Sequence, residues 1–289
     1  MRGFARGVVA VGAIAASVFA GPTAVSAAAS TVSQANQSFG SGIASVRPAS
    51  GAVVGVAHPV VVTFNAPVTD RVAAERAIDI TSTPAMSGAF EWIDNNVVHW
   101  VPDRFWPAHT TVALSVGGRP RQFATGPAVV GVASISDHTF TVTIDGVDAG
   151  PPSSLPAPHH RPNWGEEGVF PASMGRTQYP TPVGIYTVMA KERDVVMDSS
   201  TVGIPVYSPD GYHYDVEYAV RFTARGLFVH SAPWALNALG NENTSHGCIG
   251  LSLEDAEWYF DTVNVGDPVI VRENSLEVPK LVSAKTEAR

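Results

Sequence analysis

A single cysteine, Cys248, stands in a chain of 289 residues, so no disulfide can close within it. The constraint matters because the chain opens like an exported one. Arg2 and Arg6 give a positive start, Val8 to Ala20 is an apolar run, and Val25-Ser26-Ala27 is a small-x-small cleavage site. Residues 1–27 are therefore read as a signal peptide, and the mature protein is expected in the periplasm or cell wall. The run is short for a membrane span and Pro22 follows it closely, which makes a retained anchor the lesser alternative. No cysteine lies near the cleavage site, so an acylated-cysteine lipoprotein anchor is excluded. Exported proteins usually meet conditions that favour disulfides. This one must hold itself together by burial, and its unpaired cysteine is either intermolecular or a reactive thiol.

An apolar content of 45% suffices for ordinary cores, and the length allows two domains. Twenty-six Gly and 22 Pro point to many turns, hence a mainly β fold. The formal net charge of −8 argues against nucleic acid or an anionic membrane surface as a main partner. Residues 28–42 are small and polar and read as a flexible lead. From 43 to 125 short strands recur. Ala77 to Thr83 alternates with period two, and Asn95-Asn96 sits between two strands as a hairpin turn. Such a segment suggests an immunoglobulin-like β-sandwich. Trp92, Trp100 and Trp106 are expected in its core, and nothing in it suggests chemistry, so it is read as a spacer.

Gly126-Pro127 marks a boundary, and 129–272 reads as a second domain. Two strands flank Ser136-Asp137-His138, and Gly146 to Trp164 reads as a long loop. His159 and His160 in that loop have no carboxylate or cysteine at ligand spacing, so they read as solvated. Thr181 to Arg193 reads as a strand and Asp194 to Tyr214 as loop-rich. Two further strands surround Ala224-Arg225-Gly226, with His230 at the end of the second. Ser252 is placed to cap a helix whose Glu254 and Asp255 suit its positive end, with Ala256, Tyr259, Phe260 and Val263 on one face. Residues 273–289 read as a mobile tail.

The chemistry concentrates between His230 and Gly250, around Cys248. A thiol attacks as thiolate, and a nearby imidazole can take its proton; His246 and His230 are the candidates. Gly247 permits a tight bend beside the nucleophile, and main-chain N–H groups there could receive an oxyanion. Thr244 and Ser245 offer hydroxyls to hold the turn. Taken singly, a buried cysteine, a histidine or a loop glycine is ordinary. Together, in a chain that uses cysteine once, they point to a cysteine–histidine catalytic site. Zinc held by His230, His246 and Cys248 is the metal alternative; no metal or other cofactor is expected.

The same stretch resembles the signature of the L,D-transpeptidases, bacterial enzymes that cross-link peptidoglycan. Their pattern is a histidine, a spacer, Ser/Thr-His-Gly-Cys, an apolar residue and Asn. His230 and Ser245-His246-Gly247-Cys248-Ile249 fit it, while Gly250 stands where the family has Asn. His230 to Trp234 (HSAPW) and Thr181 to Val188 (TPVGIYTV) are also similar to the family, whose members sometimes carry a preceding immunoglobulin-like domain. The resemblance implies a catalytic β fold with one helix after the nucleophile and a flap between Asp194 and Tyr214. It implies that Cys248 attacks the diamino-acid carbonyl of a tetrapeptide donor stem, expels D-alanine and forms a thioester. An acceptor amine then completes a 3→3 cross-link. It makes His230 the base, the Ser231 carbonyl its orienting group, and His246, Gly247 and Cys248 the oxyanion site. Substrate contacts implied are Met197, Tyr212, Trp234, Arg225 and Gly226, with Gly250 a departure expected to weaken positioning without silencing the site. Carbapenem β-lactams are implied as covalent inhibitors. The alternatives are an L,D-carboxypeptidase using the same thioester and a catalytically weak wall-binding protein.

Overall fold

The structure, a computed structural model, describes residues 42–78, 80–155 and 166–274. Residues 1–27, read above as a signal peptide, nearly all of the segment read as a lead, His159, His160 and the residues from 275 onward lie outside the described residues.

The first half is a two-sheet sandwich. Its strands are β1 (Ile43–Arg47), β2 (Val53–Val54), β3 (Val60–Phe64), β4 (Thr81–Thr83), β5 (Gly88–Trp92), β6 (Val97–Pro102), β7 (Thr111–Val116) and β8 (Arg119–Thr125). One sheet runs β1-β3-β6-β5 and the other β2-β8-β7-β4. Alternation drives it: in β7, Val112, Leu114 and Val116 point inward while Thr111 and Ala113 stay exposed. The three tryptophans fill the space between the sheets. Trp92 stacks on Phe64 at 5.9 Å, and Trp106 lies between Trp100 (5.9 Å) and Phe123 (5.6 Å). Asn95 and Asn96 form the turn of the β5–β6 hairpin, with Trp92 opposite Val98.

One element departs from the strand pattern. Ala77 and Ile78 belong to a helix, α1 (Arg71–Ile78), and only Thr81–Thr83 of the alternating stretch is strand. Asp70 sets the helix start, because its carboxylate accepts the Ala73 N–H at 2.9 Å. Ala74 and Ile78, four residues apart, then face the core together.

The second half packs two sheets around a helix. The first contains β9 (Val129–Ser134), β10 (Thr139–Ile144), β11 (Val147–Asp148), β12 (Val169–Pro171), β13 (Gly184–Thr187) and β18 (Pro268–Arg272). Its order is β11-β10-β9-β18-β13, with β12 also on β10. The second is β14 (Ala190–Asp198), β15 (His213–Arg221), β16 (Phe228–Ser231) and β17 (Ile249–Leu251), with β16 and β17 parallel. Thr181 to Arg193 is thus not one strand: it divides between β13 and β14, in different sheets. The region expected to be loop from Asp194 is paired with β15 as far as Asp198↔His213, and only Ser199 to Tyr212 projects. Helix α2 (Leu253–Thr262) begins as expected, Ser252 Oγ accepting the Asp255 N–H at 3.1 Å. It buries Ala256 and Tyr259, Tyr259 edge-on to Phe140 at 4.9 Å. Lys191 Nζ closes the other end on the Val263 carbonyl at 2.9 Å.

The two halves keep separate apolar cores, yet they are hydrogen-bonded to each other. Gly55 N–H donates to the Val265 carbonyl (2.9 Å) and Ala57 N–H to that of Gly266 (2.7 Å). Buried Asp267 accepts the N–H groups of Asn264 (2.8 Å) and Val56 (3.3 Å). Gly55 allows this approach, since a Cβ there would lie 2.0 Å from Asp267 N. The segment read as a spacer therefore touches the turn that joins α2 to β18.

Candidate active site

Cys248 sits just before β17, one residue ahead of Ile249, which pairs with Val229 of β16; the next pair is Gly250 with His230. The parallel β16–β17 pairing thus brings the two ends of the signature side by side. A third segment, residues 173–176, lies against the loop that carries Cys248 through bridges Ser173↔Gly250 and Gly175↔Ser245. Thr181, almost fully buried, ties these together: its hydroxyl donates to the Gly247 carbonyl (2.9 Å) and accepts the Gly175 N–H (2.8 Å). Gly247 has φ +111°, and a Cβ would meet Leu227 at 3.0 Å, so glycine is needed there.

His230 is buried, and its Nδ1 lies 2.7 Å from the Ser231 carbonyl. A carbonyl only accepts, so Nδ1 carries the proton and Nε2 is left as a base. Burial pushes His230 down to about 4, against the smaller effect of that carbonyl. Burial pushes the Cys248 thiol up to about 11, opposed by the Phe228 N–H and by Arg221. Burial thus disfavours both charged forms, the thiolate of Cys248 and the imidazolium of His230.

His246 is committed elsewhere. Its Nε2 lies 2.9 Å from Arg176 Nη2, which can only donate, and the Asp210 main-chain carbonyl engages the ring. Burial first, then Arg176, lowers its affinity for a proton. Both ring nitrogens of His246 are thus engaged by its surroundings, whereas Nε2 of His230 carries no proton. The Gly247 N–H donates to Ser245 Oγ at 3.1 Å, so it too is occupied within the loop.

Cys248 and His230 open into a groove of about 510 Å³. Met197, Tyr212, Trp234, His246 and Gly250 also line it. Trp234 stacks on Tyr214 at 4.3 Å, Tyr212 lies tilted against His246 at 4.7 Å, and Met197 packs in the small cluster that includes Cys248. Arg225 and Gly226 are not among the groove walls. They form the turn between β15 and β16, where φ +90° at Gly226 makes the glycine a turn requirement. Ser231 contributes its carbonyl only; its side chain is buried away from the groove.

A curated relative, Probable L,D-transpeptidase 3 of Mycobacterium tuberculosis strain H37Rv, is 67% identical over 268 residues, covering 92% of this chain and 97% of the relative. The chain belongs to the L,D-transpeptidase family. The L,D-transpeptidase catalytic domain model matches residues 155–271, and the bacterial Ig domain model matches residues 14–117. The crystal structure of Mycobacterium tuberculosis L,D-transpeptidase 3 with a faropenem-derived adduct has TM-score 0.75 and 68% identity, covering 81% of this chain and 100% of that one. A structure of the L,D-transpeptidase LdtMt1 in complex with imipenem has TM-score 0.72 and 52% identity, covering 80% and 99%.

Within this family site, several residues carry no local motif that would single them out. Arg221 is the charge that works against burial of the thiol, while also paired with Glu192 at 3.0 Å. Arg176, Tyr179 and Asp210 surround His246, and Tyr214 carries the Trp234 stack. Thr181 alone had a visible signal, as the threonine of the Thr-Pro-x-Gly run.

Proposed function

We propose that this chain is an exported L,D-transpeptidase that forms 3→3 peptidoglycan cross-links through a thioester on Cys248. The observation that carries the reading is the His230 imidazole, held by the Ser231 carbonyl at 2.7 Å with its basic nitrogen kept unprotonated, in the same groove as the only thiol.

The steps use this chain's own groups. A donor stem enters the groove with the carbonyl of its diamino acid over Cys248. His230 Nε2 takes the thiol proton as sulfur attacks, so the costly buried thiolate need not form beforehand. The oxyanion falls to the main-chain N–H groups of His246 and Cys248, since that of Gly247 is engaged by Ser245. The intermediate collapses, the C–N bond to D-alanine breaks, and its amine leaves with the proton from His230. An acceptor amine then attacks the thioester, gives a proton to His230, and sulfur leaves as thiol on regaining it. Met197, Tyr212 and Trp234 would hold the stem by contact along the walls. Imipenem and other carbapenems would acylate Cys248 in the same way, and the leader 1–27 would deliver the enzyme to the periplasm or cell wall, where the stems are.

The test is product analysis by mass spectrometry with a tetrapeptide donor and a stem bearing a free side-chain amine. Cross-linked dimer with release of one D-alanine per link is the expected outcome. Free tripeptide as the sole product would move the assignment to an L,D-carboxypeptidase.

A further inference from the structure

Arg176 is a groove wall that acyl transfer does not use. Its own N–H donates to the Ser245 carbonyl at 3.1 Å, fixing it beside the nucleophile loop. A single nitrogen of its guanidinium, Nη2, reaches both Asp210 Oδ1 (2.5 Å) and His246 Nε2 (2.9 Å). The guanidinium lies over the Tyr179 ring at 4.9 Å, and the Tyr179 hydroxyl is 3.5 Å from the other Asp210 oxygen. The His246 ring is held between Tyr179 and Tyr212, 4.7 Å from each.

Asp210 belongs to the projecting flap, Ser199 to Tyr212. The flap is closed on itself: Ser199 and Tyr212 exchange hydrogen bonds at 3.0 Å, and Gly211 N–H meets the Ser208 carbonyl at 2.9 Å. Asp210 joins this closed segment to the body beside Cys248 through Arg176, and Tyr212 packs on the same His246 ring. We propose that Arg176 is a positioning residue that latches this flap to the nucleophile loop, fixing the flap and the His246 ring with one guanidinium. The inference rests on the reading of the groove as the site of Cys248 acylation.

The latch has a defined protonation state. The groups facing His246 are Arg176, Asp210, Tyr179 and Tyr212, with Cys248 two residues on. Arginine offers donors only, so the contact requires an unprotonated Nε2. A protonated His246 would turn a donor toward a donor and push Arg176 off. Because the latch holds the roof over the stem rather than the thiol itself, it should act on substrate retention more than on the chemical step.

The test uses the full chain as native protein and as Arg176→Met, Arg176→Lys and Asp210→Asn. Hydrogen exchange at flap amides 199–212 should quicken roughly tenfold in Arg176→Met and Asp210→Asn, with Arg176→Lys between them and the native. By NMR titration, His246 should bind its proton more readily in Arg176→Met and less readily in Asp210→Asn, opposite movements that loss of packing alone would not give. For imipenem, the half-saturating concentration should rise by roughly tenfold in Arg176→Met while the maximal acylation rate changes by less than about threefold. Unchanged flap exchange in Arg176→Met, or His246 titrations moving the same way in both variants, overturns the latch. Should Arg176→Met fail to fold, Asp210→Asn, which alters an exposed side chain, carries the same two readouts. Exchange and titration are read without substrate. Failure of imipenem to label the native protein would therefore sink the reading of the groove and leave the latch to be judged on its own.

Discussion

The two halves of the chain are both β-rich, and they bury different things. Of the eleven polar or charged residues buried among the described residues, Thr125 alone lies in the sandwich; the others belong to the catalytic half. The sandwich is held by alternating apolar strands and stacked aromatics. The catalytic half encloses Thr181, His230, Ser231 and Asp267, and each needs a named partner to be tolerated there. Stability and chemistry are thus partly separated along the chain, and substitutions can test how far.

The largest effect on stability is expected from the sandwich. Trp106→Ala removes a side chain packed against Trp100 and Phe123 and should cost about 3–5 kcal/mol in denaturant unfolding of that half. The folded fraction should still take up one imipenem per chain. Loss of labelling in folded protein would show that the halves are more tightly coupled than their hydrogen bonds at Val265 and Gly266 imply.

Thr181→Val should reverse the balance. It keeps the volume and strands the Gly175 N–H and the Gly247 carbonyl, costing about 1–3 kcal/mol. Because it frees the glycine beside Cys248, imipenem acylation should slow by more than the stability loss alone would suggest. An unaltered acylation rate would mean that Thr181 supports the fold only.

Gly250→Asn restores the family residue. Glycine is not demanded by the backbone here, but a Cβ would meet that of Ala232 at 3.0 Å, so the neighbour must yield slightly. One hydrogen bond gained should raise acylation by a tetrapeptide donor roughly two- to tenfold. A drop would mean that steric cost at Ala232 dominates.

The smallest change is expected with pH. His230 is held down to about 4 by burial, so its neutral form contributes stability that is complete above the ordinary 6.5 and is lost as pH falls toward 4. The thiol stays protonated to about 11. The maximal rate of imipenem acylation, at saturating drug, should therefore vary by less than about threefold between pH 5 and 9. A limb centred near 6.5 would contradict the buried, neutral base.

The contrast also explains what the sequence made legible. Strand alternation, the Asn95-Asn96 turn, the tryptophan core and the Ser252 cap are local features, and local reading reached them. The His230 to Cys248 signature was equally visible, because the parallel β16–β17 pair is made by one short stretch. Helix α1 was hidden because Ala77 to Thr83 also satisfies a period of two, and only the Asp70 cap and the inward pair Ala74–Ile78 select the helix. Arg176, Asp210 and His246 come together from three distant segments, a meeting that no spacing announces. Arg225 and Gly226 were drawn in by resemblance, and the turn they build stands off the groove. That the charged forms of Cys248 and His230 are disfavoured follows from burial, a property of the assembled core.

Cys248 as nucleophile, with an unprotonated His230 beside it, is the point on which the proposed chemistry turns. Intact-mass measurement of the native chain and of Cys248→Ala after incubation with imipenem tests it directly. One adduct per native chain and none on Cys248→Ala are expected, with both proteins unfolding at closely similar temperatures. An adduct of equal stoichiometry on Cys248→Ala, or none on the folded native chain, would contradict it.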